Sequence, residues 1–366
     1  MKFLCARDEL ATALQAASRA LSSRSSLSGV RWTLRGGELE VEGRESDLAI
    51  RSTLAAMGTD GTFQTPASLA LDLVRQMPAE QVEIVVEDQA VVLRSGRAEV
   101  SLNLLPSLEL PTIGEGSVPR VSVPAAALAQ GIRQVAVAAA RDEGRDLIYS
   151  SVLFSSNPDG LRLVATDGTR LALRDIPNLS VSGSEARDVV IPTRAVRELE
   201  RLVTGAGVEE IQVGIGERDA VFTVGPTTLA TRLVDEPFRD YRRLVEATYP
   251  RKLLLDRLAF MDAMRRLRRM AKEARNSSAI QMSMTPTACE LSVRIPSVGQ
   301  VHEVLDANFN DAEFTIYFDP DMLADGVEGV EGDVIRLEFI EANRAACVSA
   351  ADARDYLYIL MPIVAR

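Results

Sequence analysis

The sequence has 366 residues, 46% hydrophobic and 25% charged, with a formal net charge of −11, a length that predicts two or three domains. It has neither an apolar run long enough to span a bilayer nor a signal-peptide pattern at Met1, so a cytoplasmic chain without membrane contact is expected. Its single histidine, His302, removes Ser-His-Asp and Cys-His arrangements unless that residue serves, and excludes multi-histidine metal sites.

His302 alternates with apolar neighbours in "GQVHEVLD" and reads as a strand-surface residue. Cys5, Cys289 and Cys347 are odd in number, lack metal spacing and read as buried small hydrophobes.

In chain order, "RDELATALQAASRAL" places Leu10, Leu14, Ala17 and Leu21 on one helical face. A strand pair, "GGELEVEGRESDLAIRS", follows, then a helix opening at Pro66, "TPASLALDLVRQM", then the strand pair "VEIVVEDQAVVLRSG". After the link "SVPRVSVP" the plan repeats. The helix "PAAALAQGIRQVAVAAARDE" carries Leu128, Ile132, Val135 and Ala139 on one face. The pair "PDGLRLVATDGTRLALRD" reads as a hairpin with a two-residue Asp167-Gly168 turn. A helix at Pro192, "IPTRAVRELERLV", and the pair "VEEIQVGIGERDAVFTVG" complete the second copy.

The link "TYPRKLLLD" opens a third copy. Its helix "DRLAFMDAMRRLRRMAKEAR" carries Phe260, Met264, Leu267 and Ala271 on one face, before the pair "PTACELSVRIPSVGQVHEVL", a helix at Pro320 and the pair "DVIRLEFIEANRAACVSA". Pro66, Pro192 and Pro320 are 126 and 128 residues apart. The expected fold is therefore α+β, with three similar domains over 1–117, 118–246 and 247–366, each of two helices on antiparallel sheets.

The third long helix gathers Arg257, Arg265, Arg266, Arg268, Arg269, Lys272 and Arg275 against Asp262 and Glu273, which is 7 − 2 = +5 within a chain of −11. At helical spacing Arg265, Arg268, Arg269, Lys272 and Arg275 share a nearly single-sign face. Arg19, Arg24, Arg133, Arg141 and Arg145 on or after the other long helices, with Arg75, Arg194, Arg197 and Arg201 on the proline-started ones, suggest a positive surface for nucleic-acid phosphates. The acidic stretch from Asp319 is a capped helix rather than a calcium loop, since Leu323 stands where a ligand is needed. "VGIGERD" lacks the full dinucleotide pattern.

Four stretches, "MKFLCARDEL" with Arg24, "VATDGTRLAL", "TRLVDEPFRDYRRL" and "YLYILMPIVAR", resemble the bacterial DNA polymerase III beta subunit family, the sliding clamps, along the whole chain. The resemblance implies a head-to-tail homodimeric ring around duplex DNA, resident at the nucleoid, with no catalysis, cofactor or metal. It implies that Arg19, Arg24, Arg75, Arg133, Arg141, Arg145, Arg194, Arg197, Arg201, Arg265, Arg268 and Lys272 face DNA. Val100, Leu102, Arg269 and Met270 would lie at the dimer contact.

It also implies a groove that receives linear peptides of the DNA polymerase III catalytic subunit, the clamp loader, other DNA polymerases and repair proteins. Carried over, that groove comprises Tyr149, Thr166, Gly168, Thr169, Arg170 and Leu171, then Arg239, Tyr241, Arg243 and Leu244. Asp319, Met322, Ile359, Leu360, Met361, Pro362 and Ile363 complete it. Leu171, Leu244, Ile359, Met361 and Pro362 would form an apolar floor, with Arg170 and Arg243 steering a polar or acidic peptide end. Thr169, Arg239, Asp319 and Met322 depart from the family pattern, which leaves open a specialised or decoy paralogue with an altered groove.

Overall fold

The computed structural model describes residues 1–21, 29–106, 113–114, 120–141, 146–157, 159–179, 186–274 and 279–363. The first repeat runs β1 (Lys2–Ala6), α1 (Arg7–Ser18), β2 (Gly29–Arg35), β3 (Glu38–Arg44), β4 (Leu48–Gly58), β5 (Gly61–Pro66), α2 (Ala67–Arg75), β6 (Gln81–Val86), β7 (Ala90–Ser95) and β8 (Ala98–Asn103). The second runs β9 (Arg120–Pro124), α3 (Ala125–Ala136), β10 (Ser151–Asn157), β11 (Gly160–Thr166), β12 (Arg170–Pro177), β13 (Arg187–Pro192), α4 (Thr193–Ala206), β14 (Glu210–Ile215), β15 (Asp219–Val224) and β16 (Thr227–Arg232). After a short α5 (Arg242–Val245) the third runs β17 (Arg251–Asp256), α6 (Arg257–Ala271), β18 (Ile280–Thr285), β19 (Ala288–Ile295), β20 (Gly299–Phe309), β21 (Phe314–Phe318), α7 (Pro320–Glu328), β22 (Val334–Phe339), β23 (Ala346–Ala350) and β24 (Tyr356–Leu360). The α+β expectation with two long helices per repeat holds, and the order of elements is the same three times.

Several expectations are corrected. The segments taken as proline-bearing links contain β9 and β17, each the opening strand of its repeat. The helix expected to reach Glu143 ends at Ala136, because the Ala140 N–H is taken by the Tyr149 carbonyl at 2.7 Å. Only Pro320 is a first-turn residue. Asp319 caps α7 there, its carboxylate accepting from the Asp321 and Met322 N–H groups at 2.9 Å each. Pro66 and Pro192 instead end the preceding strands.

The chain forms two compact units, one chiefly from Met1–Ala129 and Arg194–Asp235, the other chiefly from Gln130–Leu179 and Glu236–Arg366. Each unit carries one 12-stranded sheet. In the first, β16 pairs antiparallel with β4, Thr227 against Ser52 through Thr231 against Leu48. In the second, β24 pairs in the same way with β12, Tyr356 against Arg174 through Leu360 against Arg170. The last strand of one repeat thus joins the central strand of the repeat before it. Alternation decides which face is buried: Val30, Trp32 and Leu34 of β2 join Leu10, Leu14 and Ala17 of α1 in the first core. Trp32 stacks on Phe63 at 5.3 Å and donates its Nε1–H to Thr65 Oγ1 at 2.8 Å, so the buried indole N–H is satisfied. All three cysteines are buried as expected, and burial pushes each thiol up to about 12.

Candidate peptide-binding site

In the hairpin between β11 and β12 the last opposed pair is Thr166 and Leu171, so four residues, Asp167 to Arg170, make the connection, two more than expected. Asp167 Oδ1 makes the longer turn, accepting from Thr169 N (2.9 Å), Thr169 Oγ1 (2.6 Å) and Arg170 N (3.1 Å). Thr166 Oγ1 donates to the Arg170 carbonyl at 2.6 Å and accepts from the Gly168 N–H at 3.1 Å. Gly168, at φ 90°, takes the left-handed position and lies beside the Tyr149 ring.

Arg170, expected to be exposed and free to steer a peptide, is buried and ion-paired. Its side chain is 6% exposed and already neutralised, with Nε 2.9 Å from Asp167 Oδ2 and Nη1 2.8 Å from Asp325 Oδ2. Nη1 also reaches the Tyr358 hydroxyl at 3.3 Å, and that hydroxyl donates to the Met322 carbonyl at 2.9 Å. Burial alone would lower the Arg170 pKa, but Tyr358, Asp325 and Asp167 outweigh it and the value is raised. Burial also pushes Asp167 up, yet hydrogen bonds from Thr169 and Arg170 hold its carboxyl below the usual range. The guanidinium therefore fastens the hairpin tip to α7 and β24. Sequence reading missed Asp325 and Tyr358; the available signal was an acidic residue on α7 with no assigned partner.

Around this cluster the expected groove residues sort by exposure. Leu171, Ile359 and Leu360 are buried, with Leu171 opposite Ile359 in the sheet. Leu244 on α5 is 44% exposed and Met361, just past β24, is 46% exposed. The Met361 N–H donates to the Thr169 carbonyl at 2.9 Å and the Ile363 N–H to the Tyr317 carbonyl at 2.8 Å, so the terminal segment, including half-buried Pro362, is tied at two points. Half-buried Met322 has its sulfur 3.9 Å from Thr169 Oγ1. Arg239 lies over the Tyr149 ring at 5.8 Å and pairs with Asp146; Tyr241 is buried edge-on to Phe238 at 6.3 Å. Of the two arginines expected to steer, Arg243 alone is exposed. The arrangement offers an apolar rim on a rigid base, suited to short apolar side chains of an extended partner.

The base tolerates little added volume. A Cβ on Gly326 of α7 would lie 2.3 Å from Tyr358 Cδ1. Gly326→Ala is therefore expected to cost about 1–3 kcal/mol, from overpacking α7 against β24. A lowered urea midpoint measures that cost, and an unchanged one would mean α7 rides up freely.

Arg24, Arg145 and Arg275 lie outside the described residues. The single-sign face expected on α6 is in fact compensated. Arg265 pairs with Asp262 and Arg269 with Glu273 along the helix, Arg266 grips Glu303 of β20 at 2.5 and 2.9 Å, and Arg268 meets Asp321 of α7 at 2.6 Å. Lys272 is exposed at the C-cap, and Arg141 is exposed. Elsewhere Arg19 is 3.9 Å from Glu198, which also binds Arg201, while Arg75 donates to Gln15 at 2.7 Å. Arg194 holds Glu45 and the Ala20 carbonyl at 2.7 Å each, and Arg133 and Arg197 are also engaged within the chain. The exposed pairs on α6, Arg265 with Asp262 and Arg269 with Glu273, contribute about 0–1 kcal/mol, so a phosphate can displace the carboxylate, whereas Glu198 is buried. Of the residues expected at a dimer contact, Leu102 is 5% exposed in the first core, Val100 packs partly against it, and half-buried Met270 lies beside Gly299 of β20.

Models of the DNA polymerase III beta subunit match the chain as its N-terminal domain over residues 1–114, its central domain over 122–240 and its C-terminal domain over 242–364. The beta sliding clamp of Bacillus subtilis is 28% identical, with 99% of each chain covered; that of Synechococcus elongatus is 27% identical over 100% of both. A solved DNA polymerase sliding clamp from Bacillus subtilis superposes with a TM-score of 0.91 at 26% identity over 100% of both chains. The DNA polymerase III subunit beta of Pseudomonas aeruginosa, at 24% identity and a TM-score of 0.90, shares the fold. Three matched domains in order and near-complete coverage of its relatives place the chain in the DNA polymerase III beta subunit family, the bacterial sliding clamps.

Proposed function

We propose that this protein is a DNA sliding clamp, a processivity factor of three domains (1–117, 118–246 and 247–366). It closes head to tail with a second copy around duplex DNA and holds replication and repair proteins by linear peptides in the groove described above. It acts as a tether rather than an enzyme. The observation that carries the ring is the repeated seam. Two of the three last strands, β16 and β24, are joined to central strands, β4 and β12. Among the described residues, the remaining last strand, β8, pairs only with β7, and the corresponding part of the remaining central strand, β20 from Gly299 to Asp306, pairs only with β19. Both offer open backbone edges, which proteins ordinarily cover, and Val304 on β20 is 57% exposed. Two different complementary edges on one chain are what a closed heterologous ring needs. The groove would receive the DNA polymerase III catalytic subunit, the clamp loader, other polymerases and repair proteins.

Sedimentation at twice the 39.7 kDa chain mass, with retention on nicked circular DNA after loading and release on linearisation, is the expected behaviour. A monomer at high concentration would count against it. Affinity for short linear duplex is expected to be weak in ordinary salt, because the helix arginines are shared with carboxylates and net charge is −11. Tight, salt-resistant binding of a short linear duplex in an electrophoretic shift assay would overturn that expectation.

A further inference from the structure

The two seams within the chain share one register. In each, the first residue of the last strand faces the fifth residue of the central strand: Thr227 faces Ser52 of a strand starting at Leu48, and Tyr356 faces Arg174 of a strand starting at Arg170. Carried to β8 and β20, which start at Ala98 and Gly299, that register sets Glu303 against Ala98 of the partner subunit, and His302 against Glu99 of the partner subunit. Val301 then meets the partner's Val100, Gln300 the partner's Ser101, and Gly299 the partner's Leu102. The faces agree. Val100 and Leu102 turn to the core and Val301 is half-buried, whereas Glu99, Ser101, Gln300 and His302 are all exposed.

We infer that the ring seam carries a proton-dependent ion pair between His302 and the partner subunit's Glu99, so that the dimer tightens as the solution becomes mildly acidic. This rests on the ring reading above. The groups around His302 favour it on balance. Within its own chain His302 Nε2 lies 3.3 Å from Glu290 of β19, both side chains being 52% exposed. Ser292 is directly opposite His302 on β19, and Arg294 and Glu290 lie two residues to either side on the same face. Glu303, next along β20, turns the other way and is gripped by Arg266 of α6. Glu99 of one chain is held by Arg94 at 2.7 Å, and Arg94 is also 3.7 Å from Glu83. Glu83 is in turn held by Lys2 at 2.7 Å. Arg94, with the neighbouring Arg97, limits the gain. Both Arg94 and Glu99 are substantially exposed, at 44% and 60%, so the carboxylate has room for a second cation.

The sign follows from proton linkage. A histidine that gains a carboxylate on association binds its proton more tightly in the dimer. The contribution is complete below about pH 6.5 and is lost as pH rises through the imidazole range. An exposed pair is worth up to about five-fold, and a dimeric ring closes two seams, so a tightening on the order of ten-fold is expected between about pH 8 and about pH 6.

The test is the dimer dissociation constant of the full chain, from sedimentation or subunit exchange, at those two pH values. His302→Gln and Glu99→Gln are each expected to flatten the pH dependence, and the double variant to add nothing further. Circular dichroism checks that these exposed substitutions leave the fold intact. A dimer whose pH dependence survives either single substitution, or is removed only by Glu290→Gln, overturns this inference and leaves the ring standing. A monomer at both pH values overturns the ring and the inference together.

Discussion

Arg170→Met is expected to lower the stability of the second unit by about 3 kcal/mol, the lower end for breaking a buried ion pair. Two carboxylates depend on this guanidinium, Asp167 with its side chain 13% exposed and Asp325 at 20%. Their partial contact with water sets the lower end, while methionine's similar length removes cavity formation from the comparison. Adding Asp325→Asn to Arg170→Met should recover part of the loss, because one of the stranded charges is then gone. Asp167 supplies a pH signature. Its carboxyl is held below the usual range, so its contribution is fully present above about pH 4 and is lost as pH falls through the lowered value. Urea midpoints for the wild type, single and double variants check this. Equal midpoints would mean that water replaces the arginine without cost.

Much of the architecture was legible in the sequence because periodicity reports burial. Leu128, Ile132 and Val135 at helical spacing, and Phe260, Met264 and Leu267, are fully buried as expected. Many strands went unread, and masked alternation accounts for only some: β9 is mostly exposed and β1 is five residues with charged Lys2 at its start, whereas β2 and β18 alternate cleanly between buried and half-buried residues and were legible. Long-range pairing was not legible. Nothing local in "VATDGTRLAL" announces that Arg170 will meet Asp325, 155 residues away, and an arginine in a turn is more often exposed. The same blindness made the α6 arginines look single-signed: the carboxylates that answer Arg266 and Arg268 come from β20 and α7, in other parts of the sequence. The groove residues were named by resemblance. The structure adds the division between a buried base that holds shape and a rim that remains open.

That division yields the second large effect. Met361→Asp is expected to weaken binding of a clamp-loader or polymerase tail peptide about 30- to 100-fold while leaving the urea midpoint within about 0.5 kcal/mol of wild type. The Met361 backbone is fixed by its bond to Thr169, whereas its side chain is 46% exposed and so contributes little to folding. A carboxylate there must be desolvated beneath an apolar peptide residue, and the buried Arg170 is already committed to Asp167 and Asp325. Leu244→Ser on the exposed face of α5 should act in the same direction with a smaller effect, since it removes contact area without adding charge. Titration calorimetry reads the affinities. The pairing with Arg170→Met is diagnostic, because one substitution should move affinity with stability unchanged and the other chiefly stability. Should Met361→Asp leave the peptide affinity within about two-fold, the open rim is not where peptides bind, and the exposure of Leu244 and Met361 needs another explanation.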